Sequence, residues 1–225
     1  MPPDRLATGV GSIDRLLGGG LETDSITELY GEGGSGKTLL CLEVAHRVAR
    51  EGRWVLYVDT EGVSVDRLRS IAGDSLERIL KRFLLSTPKN LEEEGRAVAT
   101  ACALAREGKR PVGLIVVDSA TFYYRLSLSG ADEDDARTAL SLELAELVAT
   151  ALAAHVPVLV TNQVWRNLRD GTLEPLGGSF VNHVAKTILR FDRLPGARRR
   201  VALVKHRSLP EGTAEFRITD SGLEG

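Results

Sequence analysis

Apolar residues recur along this chain as short continuous runs, separated by stretches with helical spacing. Ser25-Ile26-Thr27-Glu28-Leu29-Tyr30 alternates polar and apolar, which predicts a strand, and it runs into a glycine loop. Lys37–Arg50 then places Leu40, Val44, Ala45 and Val48 on one helical face and stops before Gly52. Trp54–Asp59 is a near-continuous apolar run of the kind that parallel sheets bury on both faces. Short helices are predicted over Val65–Ala72 and 75–81, and a short strand over 83–85. Leu91–Glu107 is alanine-rich and helical, and Val112–Asp118 reads as another buried strand. A long amphipathic helix over 134–154 precedes a further buried strand over 156–162. Residues 164–178 follow neither period. From Lys186 onward strand follows strand, over 187–192, 200–205 and 215–218, with turns at Leu194-Pro195-Gly196 and Leu209-Pro210-Glu211-Gly212. No repeat or linker interrupts the series, so residues 1–225 are expected to form a single domain. Repeated strand–helix units predict an α/β fold: a mostly parallel central sheet flanked by helices, with antiparallel C-terminal strands at one edge. Ligands in such sheets bind at the carboxyl ends of the strands.

Composition narrows this picture. Hydrophobic residues at 43% and charged residues at 27% describe a globular chain rather than a disordered one. No apolar run approaches the ~18 residues of a membrane span, and the first residues lack the apolar core of a signal peptide, so a cytoplasmic location is expected. Cys41 and Cys102 sit far apart in helical apolar patterns and read as buried thiols rather than a disulfide or metal site. His46, His155 and His183 are isolated. Net charge is only −2, but base concentrates late: Lys186, Arg190, Arg193, Arg198, Arg199, Arg200, Lys205 and Arg207. That region suits either nucleic acid or plain solvation.

Chemistry gathers at the predicted strand ends. Gly31-Glu32-Gly33-Gly34-Ser35-Gly36-Lys37-Thr38 fulfils G-x-x-x-x-G-K-[ST], with a strand before and a helix after. Its glycines let backbone N–H groups wrap a phosphate; Lys37 would reach the β- and γ-phosphates of ATP, and Thr38 would ligate Mg²⁺. Leu114 to Asp118 is an apolar strand ending in an acid, which places Asp118 beside the metal, usually through water. At the end of Trp54–Asp59, Glu61 is positioned to take a proton from the attacking water, and Asp59 to bond a loop backbone or a helix N-terminus. Gln163, after Val160-Thr161-Asn162, can touch a γ-phosphate without adding charge. The unpatterned segment behind it carries Trp165, Arg166 and Arg169, an aromatic among cations that suits stacking and phosphate contacts on DNA; composition equally fits an ordinary loop. Lys205 and Arg207 stand two residues apart at a strand end, either as a solvated edge or as a finger reaching a neighbouring subunit's nucleotide.

These segments together resemble the RecA/RadA recombinase family. Leu6-Ala7-Thr8-Gly9 through Leu17-Gly18-Gly19-Gly20-Leu21-Glu22-Thr23, then Ile26 to Gly31, Tyr57 to Gly62, Val117-Asp118-Ser119, Val160 to Val164, Pro175-Leu176-Gly177-Gly178 and Leu209 to Gly212 are similar to that family's motifs, in order, over nearly the whole chain. The resemblance implies a RecA-like P-loop ATPase core with Lys37 and Thr38 on ATP and Mg²⁺, Glu61 as hydrolytic base, Asp118 supporting the metal and Gln163 sensing the γ-phosphate. Arg67 lies near where the family packs an arginine against adenine, one residue short in its spacing from Glu61. Residues 125–137 correspond to the first DNA-binding loop but carry Asp132, Glu133, Asp134 and Asp135; residues 164–178 correspond to the second. No N-terminal helix-hairpin-helix domain or polymerising phenylalanine is expected, and Lys205-His206-Arg207-Ser208 replaces the aspartate- and proline-bearing ATP cap. The family resemblance therefore implies an accessory of archaeal recombination and repair, with weak ATPase activity and no strand exchange of its own. Its implied partners are DNA, the recombinase RadA, and a Holliday-junction nuclease or DNA polymerase, with homo-oligomerisation open. A KaiC-like ATPase that regulates protein partners is the alternative.

Overall fold

The computed structural model describes residues 4–128, 133–166, 173–177, 181 and 183–225. Among them nine strands form one sheet. Five parallel strands carry the site: β3 (Ile26–Gly31), β4 (Trp54–Asp59), β5 (Phe83–Ser86), β6 (Val112–Asp118) and β7 (Val158–Asn162). Beside β3 lies β10 (Thr187–Arg193), also parallel to it, followed by antiparallel β11 (Arg198–His206), β12 (Gly212–Thr219) and β13 (Gly222–Glu224). The order across the sheet is β13-β12-β11-β10-β3-β7-β6-β4-β5. The predicted antiparallel C-terminal edge is present, one strand longer than expected.

Period-two alternation divides the core between the two faces of the sheet. Leu29, Val55, Tyr57, Leu114 and Val116 pack on one face, against α1 (Gly11–Leu16), α2 (Lys37–Arg50), α3 (Val65–Ala72) and α4 (Leu76–Leu80). Ile26, Tyr30, Leu56, Val58, Ile115 and Val117 pack on the other, against α5 (Leu91–Glu107) and α7 (Glu133–Ala154). The starts of α3 and α5 follow from their caps: Ser64 accepts from the N–H of Arg67, and Asn90 from that of Glu93. Glu133, Asp134 and Asp135 fill the first turn of α7, where carboxylates oppose the positive end of the helix; Asp132 lies outside the described residues.

β3 is central, flanked by β7 and β10, and Thr27 and Glu28 are as buried as Leu29. One expectation is corrected. Residues 164–178 are not without strand structure, because β8 (Val164–Arg166) and β9 (Leu173–Pro175) form an antiparallel ribbon. The first 22 residues also hold a small unit missed by periodicity, β1 (Arg5–Leu6) paired with β2 (Leu21–Glu22) around α1. Two-residue strands are too short to show a period. A last short helix, α6 (Phe122–Ser127), follows β6.

Candidate nucleotide site and the ribbon beside it

Parallel pairing brings four strand ends to one edge of the sheet. Tyr30 is opposite Asn162, and Asp59 is opposite Asp118. The loop from Gly31 to Gly36 leaves β3 at this edge and enters α2 at Lys37. Glycine is required at both of its ends. A Cβ on Gly31 would come within 2.2 Å of the Phe191 carbonyl oxygen, and Gly36 has φ +106° with the Phe216 ring 3.3 Å from where a Cβ would sit. Between them Gly33 and Gly34 are exposed, and a Cβ on either would meet nothing within 4 Å.

The loop borders a cavity of about 270 Å³ lined by Lys37, Thr38, Glu61, Arg67 and Asp118, among others. Lys37 Nζ donates to the carbonyls of Gly31 at 2.7 Å and Glu32 at 3.2 Å. Burial pushes the Lys37 ammonium below the usual lysine range, while Glu61 and Asp118 pull it back up. The Ser35 hydroxyl is buried without a hydrogen-bond partner among the described residues. An inward-facing ammonium, an orphaned hydroxyl and an open glycine cradle fit a polyphosphate chain.

Asp118 is 2% exposed. One of its oxygens accepts from Tyr57 Oη at 2.8 Å and the other from Thr161 Oγ1. Burial raises its carboxyl, and the hydroxyls of Thr161, Tyr57 and Thr38 lower it again. With hydroxyls already on both oxygens, Asp118 is arranged to hold Thr38 and a metal's water rather than to ligate the metal directly, so Thr38 and Asp118 together could hold Mg²⁺. Asp59 accepts from the N–H groups of Glu61, Gly62 and Val63 at 3.2, 2.8 and 2.6 Å, fixing the loop that carries Glu61, as the sequence reading expects of it. Glu61 is exposed, and its Oε1 accepts from Gln163 Nε2 at 2.8 Å. Arg67 lines the same cavity despite its short spacing, and its guanidinium donates to the Asp220 carbonyl at 3.3 Å.

Gln163 also anchors the ribbon. Its backbone carbonyl accepts from Leu176 N at 2.9 Å, and its N–H donates to Thr121 Oγ1 at 3.1 Å. Next to it, Asn162 Nδ2 donates to Leu176 O at 2.8 Å and to Glu28 Oε1 at 2.7 Å, and its Oδ1 accepts from Thr121 at 2.8 Å. Leu176 is therefore pinned at both its N–H and its carbonyl to the strand end that faces the cavity. Glu28 is fully buried, and burial pushes its carboxyl up to about 7 against the Asn162 hydrogen bond and the charge of Lys205.

Of the residues predicted to bind DNA, Trp165 is 45% exposed on the ribbon and Arg166 pairs with Leu173 through the backbone. Arg169 and the Arg166 side chain lie outside the described residues. Arg207 falls just beyond β11 and is engaged within its own chain, 2.7 Å from both Glu22 and Asp24. Sequence reasoning singled out neither Glu28 nor Thr121. It also left Arg199 within a late basic cluster read as either a nucleic-acid surface or a solvated face, whereas Arg199 donates from Nε to the Gly34 carbonyl at 3.1 Å. The alternation of Arg198-Arg199-Arg200 on a strand was the signal that could have separated it from its neighbours.

A glycine cradle between a central parallel strand and a helix, with acids at the ends of the two outer neighbouring strands and an amide at the end of the strand between, defines a P-loop core of the RecA type. The family model described as Rad51 matches residues 4–225, and the chain belongs to that family. A protein of Methanoculleus marisnigri named DNA repair and recombination protein RadB is 42% identical over 224 residues, spanning 99% of both chains. Its namesakes in Methanococcoides burtonii and Thermoplasma acidophilum are 38% and 40% identical, over 98% and 97% of this chain and 97% and 93% of theirs. A solved structure titled as the RadB recombinase superposes with a TM-score of 0.81 at 36% identity, covering 97% of this chain and 98% of that one.

Proposed function

We propose that this protein is an accessory of homologous recombination and DNA repair that binds ATP with Mg²⁺ and DNA, turns ATP over slowly, and acts alongside RadA and on branched DNA rather than exchanging strands itself. Family membership and the names of its relatives support the recombination role, and likeness over nearly their whole length favours it over the KaiC-like reading. In this reading residues 31–38 hold the phosphates, with Thr38 and Asp118 holding the magnesium, which when bound neutralises phosphate charge. Glu61 takes a proton from water.

The observation that carries the proposal is Gln163. Its side chain reaches Glu61 and its carbonyl holds the base of the Trp165 ribbon, so one residue joins the hydrolytic acid to the DNA-facing element. A change at either end can then be felt at the other. Weak turnover fits Glu61 sitting on the amide of Gln163, which occupies one of its oxygens. The test measures ATP hydrolysis with and without single-stranded DNA, then strand exchange by the protein alone and by RadA with and without it. Slow hydrolysis with modest stimulation, no exchange alone, and an altered RadA rate are expected. Robust exchange by the purified protein, or no DNA binding, would overturn the reading.

A further inference from the structure

One of the late arginines does not face solvent. On β11, Arg198 and Arg200 project to one face, where they reach the two oxygens of Glu215 at 2.6 and 3.2 Å. Arg199 projects to the other and is 9% exposed. Its Nε donates to the Gly34 carbonyl at 3.1 Å, and its Nη1 donates to the carbonyls of Gly196 at 3.1 Å and Arg198 at 2.7 Å. Among the described residues its hydrogen-bond partners are all carbonyls, so a buried guanidinium stands behind the phosphate loop without a carboxylate to neutralise it.

The contact with Gly34 has a geometric consequence. The peptide joining Gly34 to Ser35 is planar and trans, so its C=O and N–H point in opposite directions. Fastening the carbonyl to Arg199 outside the loop turns the Ser35 N–H inward, where it donates to Glu32 O at 3.2 Å. Phe216 of β12 supports the next corner, at Gly36, by close contact. The antiparallel strands therefore form the wall against which the loop is shaped.

We propose that Arg199 is a positioning residue for the polyphosphate: it locks the Gly34–Ser35 peptide with its N–H turned into the cradle and adds a buried positive charge behind it. The role rests on the nucleotide reading of the loop. A buried arginine that merely closed the β10–β11 turn at Gly196 would stabilise the sheet without altering the loop, and the two cases separate experimentally.

The test compares the intact parent protein with Arg199→Gln and Arg199→Lys. Amide exchange across residues 31–38 is measured without nucleotide, ATP binding by calorimetry, and overall stability by melting. Loss of a charge-assisted hydrogen bond predicts about tenfold faster exchange in the loop and about tenfold weaker ATP binding for Arg199→Gln. Arg199→Lys keeps the charge and one donor and is expected to recover much of both. If Arg199→Gln fails to fold, Arg199→Lys against the parent carries the same comparison at smaller amplitude. Variants that fold, bind ATP like the parent and exchange the loop at the parent's rate would overturn the proposal. So would a rise in exchange spread evenly over the whole sheet. A parent that binds no ATP would refute the nucleotide reading instead, while the exchange measurement would still report on Arg199 and the loop.

Discussion

Two carboxylates unconnected with the nucleotide site make stability depend on pH. Glu94 on α5 and Glu143 on α7 are 0% and 7% exposed, and both oxygens of Glu94 and one of Glu143 have no hydrogen-bond partner among the described residues. Glu143 lies so close to α5 that a Cβ on Gly95 would be 3.3 Å from its Oε1. Burial pushes Glu143 up to about 8; burial and the charge of Glu143 push Glu94 up to about 9. The two ionise as a pair, the first charge raising the cost of the second. Below the ordinary carboxylate value both folded and unfolded chains hold these protons, and the pair costs nothing in charge burial. Above it the unfolded chain releases them and the native chain does not, so stability falls with rising pH until the native pair ionises near 8 to 9. Each pH step of one costs about 1.4 kcal/mol per group, so from about pH 5 to about pH 7 the pair removes roughly 5 kcal/mol. That is a large share of the ~5–15 kcal/mol that holds a typical domain. Glu94→Gln and Glu143→Gln cannot ionise. Net of the ~1–3 kcal/mol for burying an unpaired amide, each is expected to gain about 2 kcal/mol near pH 8 and to lose about 1 kcal/mol near pH 5. Urea unfolding at a series of pH values reads this directly, and thermal melting should show about 4–8 °C of gain at the alkaline end. A difference between variant and parent that stays constant across pH would refute the reasoning.

Three further outcomes test the site. Lys37→Ala should leave the fold intact and weaken ATP binding on the order of 100-fold in calorimetry, because the charge facing the phosphates is lost; parent-like affinity would remove the loop's assignment. Glu61→Gln should bind ATP normally and lose about 100-fold in turnover, since an amide cannot accept the water's proton; steady-state phosphate release measures it. Trp165→Ala combined with Arg166→Ala should weaken single-stranded DNA binding about tenfold and flatten the log–log salt dependence by about one unit, as seen by fluorescence anisotropy.

The fold was legible where apolar patterning is strong. The buried runs ending at Asp59 and Asp118 appear with the predicted bounds, because strands buried on both faces admit little but apolar residues until they reach the functional edge. Patterning failed where pairing, not burial, makes the strand. β8 and β9 have three residues each and are held by their mutual ladder, so neither shows a period by itself. Nor does patterning explain the polar residues of β3, where Thr27 and Glu28 are buried in a central strand.

The site divides in the same way. Residues whose chemistry is local, such as the glycine cradle with Lys37 and Thr38, could be named from one stretch of sequence because a single loop and helix start define them. Glu28, Asn162 and Leu176 could not, since their meaning lies in contacts between segments far apart in the chain. A buried carboxylate in a central strand reads as an anomaly until Asn162 is seen donating to it and to the ribbon at once. Asn162 has two N–H groups, and both are committed, so the ribbon base cannot shift away from β7 without leaving one of them or the Leu176 carbonyl unpaired in a buried place. Gln163 differs: its backbone is pinned, but its side chain reaches Glu61 through one hydrogen bond, and its own buried Oε1 has no partner among the described residues. The backbone is thus held by two hydrogen bonds and the amide by one. A phosphate that drew the amide away would free Glu61 without unpairing any buried backbone group, while the pinned backbone keeps the ribbon base in register with β7.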